Sequence, residues 1–308
     1  MKATVLKVWI SVLTLCFPLP AMAGGDVWAE LSRNGNLKIT GTDDSNQIMV
    51  TNDGFGNVRL VGMPGTGTTV RGFSEWTFYE TSHNAVAGKL DINLKNGNNY
   101  VEIDDISVKG DLKIKLGAGD DTIGIFDAIF FDDVSIKLGD GNNLVGVVRV
   151  AVVDKMSVRG SSGSDVVAVA VCVGVGGKTT IKTGSGFDIV LLQGGYTGAL
   201  KLDTGKGEDQ LYISRYNNFR NVSINLGSDD DGIWVASTAV FPVTVKLSGA
   251  NGTDTQTVAP TTIFSPKTKS VESFVEDPNT DAIADNISAA ITTQYVARGG
   301  DPADVPCP

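Results

Sequence analysis

Eight turns in this chain end in an aspartate or an asparagine: Asn46, Asn99, Asp121, Asn143, Asp165, Asp188, Asp209 and Asp231. From Asn99 onward the steps between them are 22, 22, 22, 23, 21 and 22 residues. The preceding position reads Ser45, Asn98, Asp120, Asn142, Ser164, Phe187, Glu208 and Asp230. Side chains of this kind supply oxygens, so the chemistry open to them is cation binding, acid–base work by paired carboxylates, or closure of their own turns. If the turns stack, neighbouring carboxylates repel by roughly 1 kcal/mol per pair in a water-like medium. Glu208, Asp209, Asp229, Asp230 and Asp231 concentrate five acids on two successive turns. A hard divalent cation would relieve that repulsion, which makes residues 205–231 the best place for one.

The elements that must position these turns are strands. A period near 22 residues signals stacked structural units. In Leu112-Lys-Ile-Lys-Leu116 apolar residues alternate with lysines, the pattern of a strand with one buried face. Gly117 to Asp121 breaks the strand, and Thr122 to Phe126 restarts it. A third apolar cluster, Ile129 and Phe131, closes the unit, with Val152, Tyr196, Phe219 and Val240 as its counterparts. The same frame begins at residues 90, 112, 134, 156, 179, 200, 222 and 243. No segment between units has room for a helical crossover. The expectation is an all-β, right-handed parallel β-helix (a solenoid of about 22 residues per coil) with triangular coils. At the near end, Leu37-Lys-Ile39 and Ile48 fit the frame. The interval from Ile48 to Leu90 suggests two further coils, with strands at Val58-Arg-Leu60, Val70 and Trp76-Thr-Phe78. Trp28 and its neighbours are expected to cover that end. After Val258 come Pro260, Pro266 and Pro278, then apolar spacings in residues 281–296 that suit a short amphipathic helix. The domain reading is therefore a signal peptide at 1–23, a β-helix with irregular N-terminal coils at 24–258, and a short helical or irregular cap and tail at 259–308.

The Gly-x-Gly-x-Asp/Asn turns, seen in Gly117-Ala-Gly-Asp-Asp121 and Gly205-Lys-Gly-Glu-Asp209, resemble the hemolysin-type, RTX-like calcium-binding repeats of secreted bacterial β-helix proteins. The resemblance covers residues 34–255. It implies Ca²⁺ held by the turn oxygens of successive coils. Carried onto this chain, the ligands would be Asp121, Asp165, Asp188, Asp209 and Asp231, with Glu208 and Asp230 beside them. That family's repeat opens with paired glycines and returns every nine residues. Here the turn returns once per coil.

The first residues have a secretory pattern, with Lys2 and Lys7, an apolar run over residues 8–19 and Ala21-Met-Ala23 as a cleavage site. The run is short for a membrane span, and the expected mature protein is secreted, extracellular or periplasmic. Removing residues 1–23 takes the formal charge from −10 to −12. Such acidity argues against nucleic acid and anionic membranes as partners, and for cations or a solvated extracellular surface. Cys172, in an apolar run, reads as a buried free thiol. His83 lies in a polar loop and reads as solvated. A column of lysines, including Lys113, Lys115, Lys137 and Lys182, marks the outer face of the first strands; it serves solvation, weak attraction of acidic glycans, or pairing with acids of the next coil. Tyr212 and Trp234 share an outward column that Leu192 continues, and shielding of the solenoid side is favoured slightly over sugar stacking. The functional expectation is a secreted non-catalytic solenoid, calcium-stabilised, with a surface, matrix or adhesion role and an extracellular glycan or cell-surface component as partner. The alternative is a polysaccharide lyase or hydrolase, or a glycan-binding protein, on the same scaffold.

Overall fold

The computed structural model describes residues 24–258, apart from 80–82, 84, 214–216 and 237–244, together with the backbone of 267–269 and 273–276. Every regular element in this range is a strand. Leu90, Leu112, Val134, Met156, Thr179, Leu200, Val222 and Val245 pair in parallel register, one coil after another. Tyr100, Thr122, Leu144, Val166, Ile189, Gln210, Gly232 and Thr255 do the same on a second face. Val86, Val108, Phe130, Val152 and Val175 align on a third. Three strands per coil and parallel pairing throughout the stack make a three-sided β-solenoid.

The alternation read from the sequence explains the interior. Ile92, Ile114, Ile136, Val158, Ile181, Leu202, Ile224 and Leu247 form an inward column, each 1% exposed or less. Val101, Ile123, Val145, Val167, Val190, Leu211 and Ile233 face them, fully buried. Each such side chain contributes about 1.5–3 kcal/mol by leaving water. Stacking like on like keeps the volume constant from coil to coil.

The near end departs from expectation. The strand Leu37–Thr40 stacks directly on Leu90–Lys95, and Gln47–Asn52 stacks on Tyr100–Asp104. Residues 53–79 therefore do not form two coils. They leave the stack as an antiparallel excursion, in which Val58–Gly62 pairs with both Gln47–Asn52 and Glu75–Phe78. Ala85–Val86 rejoins the stack in parallel with Ser107–Val108. Gly54 and Gly56, at φ of 78° and 97°, turn the chain back. Asp26–Leu31 pairs antiparallel with Leu37–Thr40 and so covers the edge of the first coil, the capping role expected near Trp28. Against that cap, the Arg71 guanidinium lies over the rings of Trp28 and Trp76, at 4.5 and 4.6 Å from their centroids.

Smaller corrections concern parity. Phe130 is the buried third-side residue, while Ile129 and Phe131 are 43% and 44% exposed. Asp105, Asp127 and Arg149 sit at the corners with φ of 50°, 48° and 54°, and these left-handed corners shift the alternation by one. Val152 and Phe219 hold their expected column, but Thr197 rather than Tyr196 is in register with Phe219. The outward partner of Tyr212 is Leu191, and Leu192 belongs to the core. Tyr212 is buried and stacks on Trp234 with ring centroids 4.6 Å apart, in keeping with the shielding reading. His83 is exposed.

The last full coil starts at Val245, two residues later than its expected start. Beyond it, Lys267–Lys269 and Ser273–Glu276 pair in parallel with Val245–Asn251 and Thr255–Val258, so the stack continues past residue 258. The signal segment 1–23, the helix expected at 281–296, the tail, Val240 and the side chain of Cys172 lie outside the described residues. No helix among the described residues is long and apolar enough to cross a membrane.

Candidate functional site

The turn residues form a ladder inside the stack. The backbone N–H of Asn46 donates to Asn99 Oδ1 at 3.0 Å, and that of Asn99 to Asp121 Oδ1 at 2.7 Å. Asp121 donates in turn to Asn143 at 3.0 Å and Asn143 to Asp165 at 3.1 Å. The series runs on from Asp165 to Asp188 and from Asp188 to Asp209, at 2.8 and 2.9 Å. It then passes from Asp209 to Asp231 at 2.8 Å and from Asp231 to Asp254 at 3.2 Å. Every rung points the same way: an earlier coil gives its N–H, and the next coil's side chain accepts. The turn donors that a strand ladder would leave unpaired are thereby satisfied within the stack.

The position before it forms a second ladder of opposite polarity on the surface. Asp120 N–H donates to Asn98 Oδ1 at 2.9 Å, Asn142 N–H to Asp120 Oδ1 at 2.8 Å and Ser164 N–H to Asn142 Oδ1 at 2.8 Å. Here the later coil gives and the earlier one accepts. Successive N–H groups in an extended turn point in opposite directions, so adjacent residues serve opposite neighbours. Phe187 supplies no such acceptor, and the surface series resumes where Thr253 N–H meets Asp230 Oδ1 at 2.7 Å.

The seven residues expected to hold a cation therefore divide between two environments. Asp121, Asp165, Asp188, Asp209 and Asp231 are between 0% and 3% exposed. Glu208 and Asp230 are exposed on the rim. Burial was not legible from residue type, because Asp in a turn ordinarily reads as hydrated. Asp254 belongs to the buried column and was missed. Its coil is 23 residues long in register, and its turn, Asn251-Gly-Thr-Asp254, lacks the first glycine of the motif; the Gly-x-Asp ending was the signal that remained.

Burial dominates the electrostatics of the column. It pushes the carboxyls of Asp121, Asp165 and Asp209 up to about 7, and Asp231 up to about 8, while Asp188 is raised as well. The donated N–H groups pull the other way and lose, since Oδ2 of each of these five residues is buried without a hydrogen-bond partner. Carboxyls above and below add to the rise: Asp188 acts on Asp165, and Asp209 and Asp254 act on Asp231. The asparagines indicate what the site prefers. Asn143 Nδ2 donates to Gly141 O and to Asp165 Oδ1, both at 2.9 Å, and Asn99 Nδ2 reaches Gly97 O at 2.8 Å. A protonated aspartate has the same shape and the same one-acceptor, one-donor character as that face of the amide. The column is neutral at Asn, and burial shifts its Asp members toward the protonated, equally neutral form.

Calcium takes six to eight oxygens at 2.3–2.6 Å. Each of these five Asp accepts an N–H at Oδ1 and leaves Oδ2 without a hydrogen-bond partner, and coils are about 4.8 Å apart. The five aspartates are thus buried in the stack, and Glu208 and Asp230 lie on the rim. A separate trio, exposed Asp132 with half-buried Asp133 and Asp154, brings carboxylate oxygens within 4.8 Å of one another, with Lys155 bound to Asp154 at 3.1 Å and to Asp133 at 3.8 Å.

This geometry defines the class as a parallel β-solenoid held by an internal Asp/Asn ladder. Comparison with protein-family models, with curated proteins and with solved structures finds no match.

Proposed function

We propose that the chain is a secreted, non-catalytic solenoid that serves as an extracellular surface, matrix or adhesion component. The observation that carries this reading is the fate of the repeated acids. Across the coils they are used in hydrogen bonds between neighbours, and the buried ones lie where no substrate reaches them. A scaffold needs such a column, whereas a hydrolase needs two carboxylates facing a sugar across a cleft. The test is fractionation of cells producing the full chain with a C-terminal tag, together with turnover assays on neutral and acidic polysaccharides. The expected result is a processed protein outside the cytoplasm that releases neither reducing ends nor unsaturated products. Steady turnover would overturn the non-catalytic half, and an unprocessed cytosolic product would overturn the other.

Calcium stabilisation enters this reading only at the rim, where Glu208, Asp229 and Asp230 are exposed. Two of these acids already accept backbone donors, Asp229 from Gly207 at 3.1 Å and Asp230 from Thr253 at 2.7 Å. A bound ion would therefore add to a formed turn instead of creating it. The expected result is a modest rise in Tm with excess Ca²⁺, reversed by EDTA and lost in Glu208→Gln/Asp230→Asn. Superimposable melting curves would remove calcium from the proposal.

A further inference from the structure

The outward face of the first sheet carries an unusual distribution of charge. Lys115, Lys137, Arg159 and Lys182 stand in direct register on four consecutive coils. The parallel outward column beside them reads Lys113, Ser135, Ser157 and Thr180. Every outward position of these four strands is thus a cation or a hydroxyl, on a chain whose formal charge is −10. The run is bounded by acids: before it Asp91 separates Lys38 from Lys113 in register, and its last member, Lys182, meets Asp203 of the next coil at 2.7 Å. Lys115 and Lys137 form no ion pair among the described residues, and Arg159 bonds only Ser157 Oγ, at 3.2 Å. Stacked like charges cost stability, and Lys115, Lys137 and Arg159 stack with no acid in register between them. Ser135, Lys137, Ser157, Arg159 and Thr180 also line an open groove of about 460 Å³, joined by Lys178 and Lys155 and, at one side, by Asp133, which Lys155 meets at 3.8 Å.

We infer that this face binds an acidic polysaccharide, with the cation column taking its carboxylate or sulfate groups and the hydroxyl column bonding its sugar oxygens. Charge complementarity selects a polyanion, and the spread over four coils, about 14 Å at ordinary strand spacing, selects a polymer over a single ion. The inference rests on the extracellular reading above and names the partner class for it.

The experiment is binding of the full chain to immobilised polygalacturonate, to a heavily sulfated glycan and to neutral dextran, with double-stranded DNA as a polyanion of other chemistry. Retention on one or both acidic glycans, weakened by salt, is expected, with neither dextran nor DNA held as well. Which glycan is retained distinguishes carboxylate from sulfate as the source. Lys137→Gln/Arg159→Gln should weaken binding about tenfold or more, while Lys246→Gln, on the same sheet two coils beyond Lys201, should leave it unchanged, with circular dichroism and Tm preserved in both. Equal retention on DNA, no retention on either glycan, or equal losses in the two variants would overturn the inference. None of these outcomes alters where the protein is found or whether it turns polysaccharide over, so the scaffold reading stands or falls separately.

Discussion

The purified protein should melt at a higher temperature at pH 5 than at pH 8. Folded Asp121, Asp165 and Asp209 hold their protons up to about pH 7 and Asp231 up to about 8, whereas in the unfolded chain they release them near the ordinary 3.8. Between those limits the folded state binds more protons. Raising the pH therefore favours unfolding, by about 1.4 kcal/mol per pH unit for each proton of difference. The contribution is complete below pH 3.8, falls as pH rises toward 7–8 and is flat above. Neighbouring carboxyls share one column and titrate as a set. Even one net proton of difference from pH 5 to pH 7 amounts to about 3 kcal/mol, or roughly 5–10 °C in Tm for a domain of this size. Asp111, which Lys89 holds below the ordinary carboxylate range, contributes in the opposite sense, but only in more acid solution. A Tm that climbs from pH 5 to pH 8 would contradict the neutral-column account. Asp209→Asn separates charge from shape. It should flatten the pH dependence and raise Tm at pH 8, because the amide keeps the acceptor for Asp188 N–H and needs no proton. Asp209→Ala removes that acceptor and should lower Tm at both pH values by an amount corresponding to about 1–3 kcal/mol.

Gly163→Ala should lower Tm by roughly 10 °C or prevent folding, whereas Gly146→Ala should change it by no more than a degree or two. Gly163 sits at φ 104° in the turn before Asp165, and an added Cβ would run into the carbonyl oxygen of Gly141 one coil away. The conformation alone costs an L-residue about 1–3 kcal/mol, and the overlap with backbone adds a similar amount. Gly141 and Gly186 repeat the arrangement at φ of 116° and 137°, against carbonyls of Gly119 and Gly163. Strain at one rung therefore cannot relax into its neighbours. Gly146 lies in the outward column of the second sheet, with ordinary backbone and nothing within 4 Å of an added Cβ. Thermal unfolding of the two variants beside the parent checks the contrast. Equal effects would mean that the coils can separate to admit a methyl group.

The coil period, the parallel stack and the first-strand parity were legible because each rests on a repeated local cause. Ile92, Ile114 and Ile136 recur in one frame, and at least one glycine punctuates each turn from Asn99 onward. What escaped depends on direction. Alternation in Val58-Arg-Leu60 marks a strand but carries no sign for its pairing, so the antiparallel excursion resembled two more coils. The corners at Asp105, Asp127 and Arg149 take left-handed backbone without glycine, so the shift that buries Phe130 left no mark in residue type. The Asp/Asn column was found, but its orientation was not. An Asx residue turned toward water and one turned into the stack have the same sequence. Only the register, which brings the Asn99 N–H to Asp121 Oδ1, separates them.

Because every coil presents the same donors upward and the same acceptors downward, neighbours are interchangeable across a seam. Leu112 and Val134 occupy equivalent places, as do Asp121 and Asn143. Excision of residues 112–133 would join Asp111 to Val134, and Asn99 N–H would then meet Asn143 Oδ1 as it now meets Asp121. Such a chain should fold to a rod shorter by one strand spacing, about 4.8 Å. The length of this molecule is in that sense a count, written in whole coils and open to revision by duplication or loss of a single paragraph of sequence.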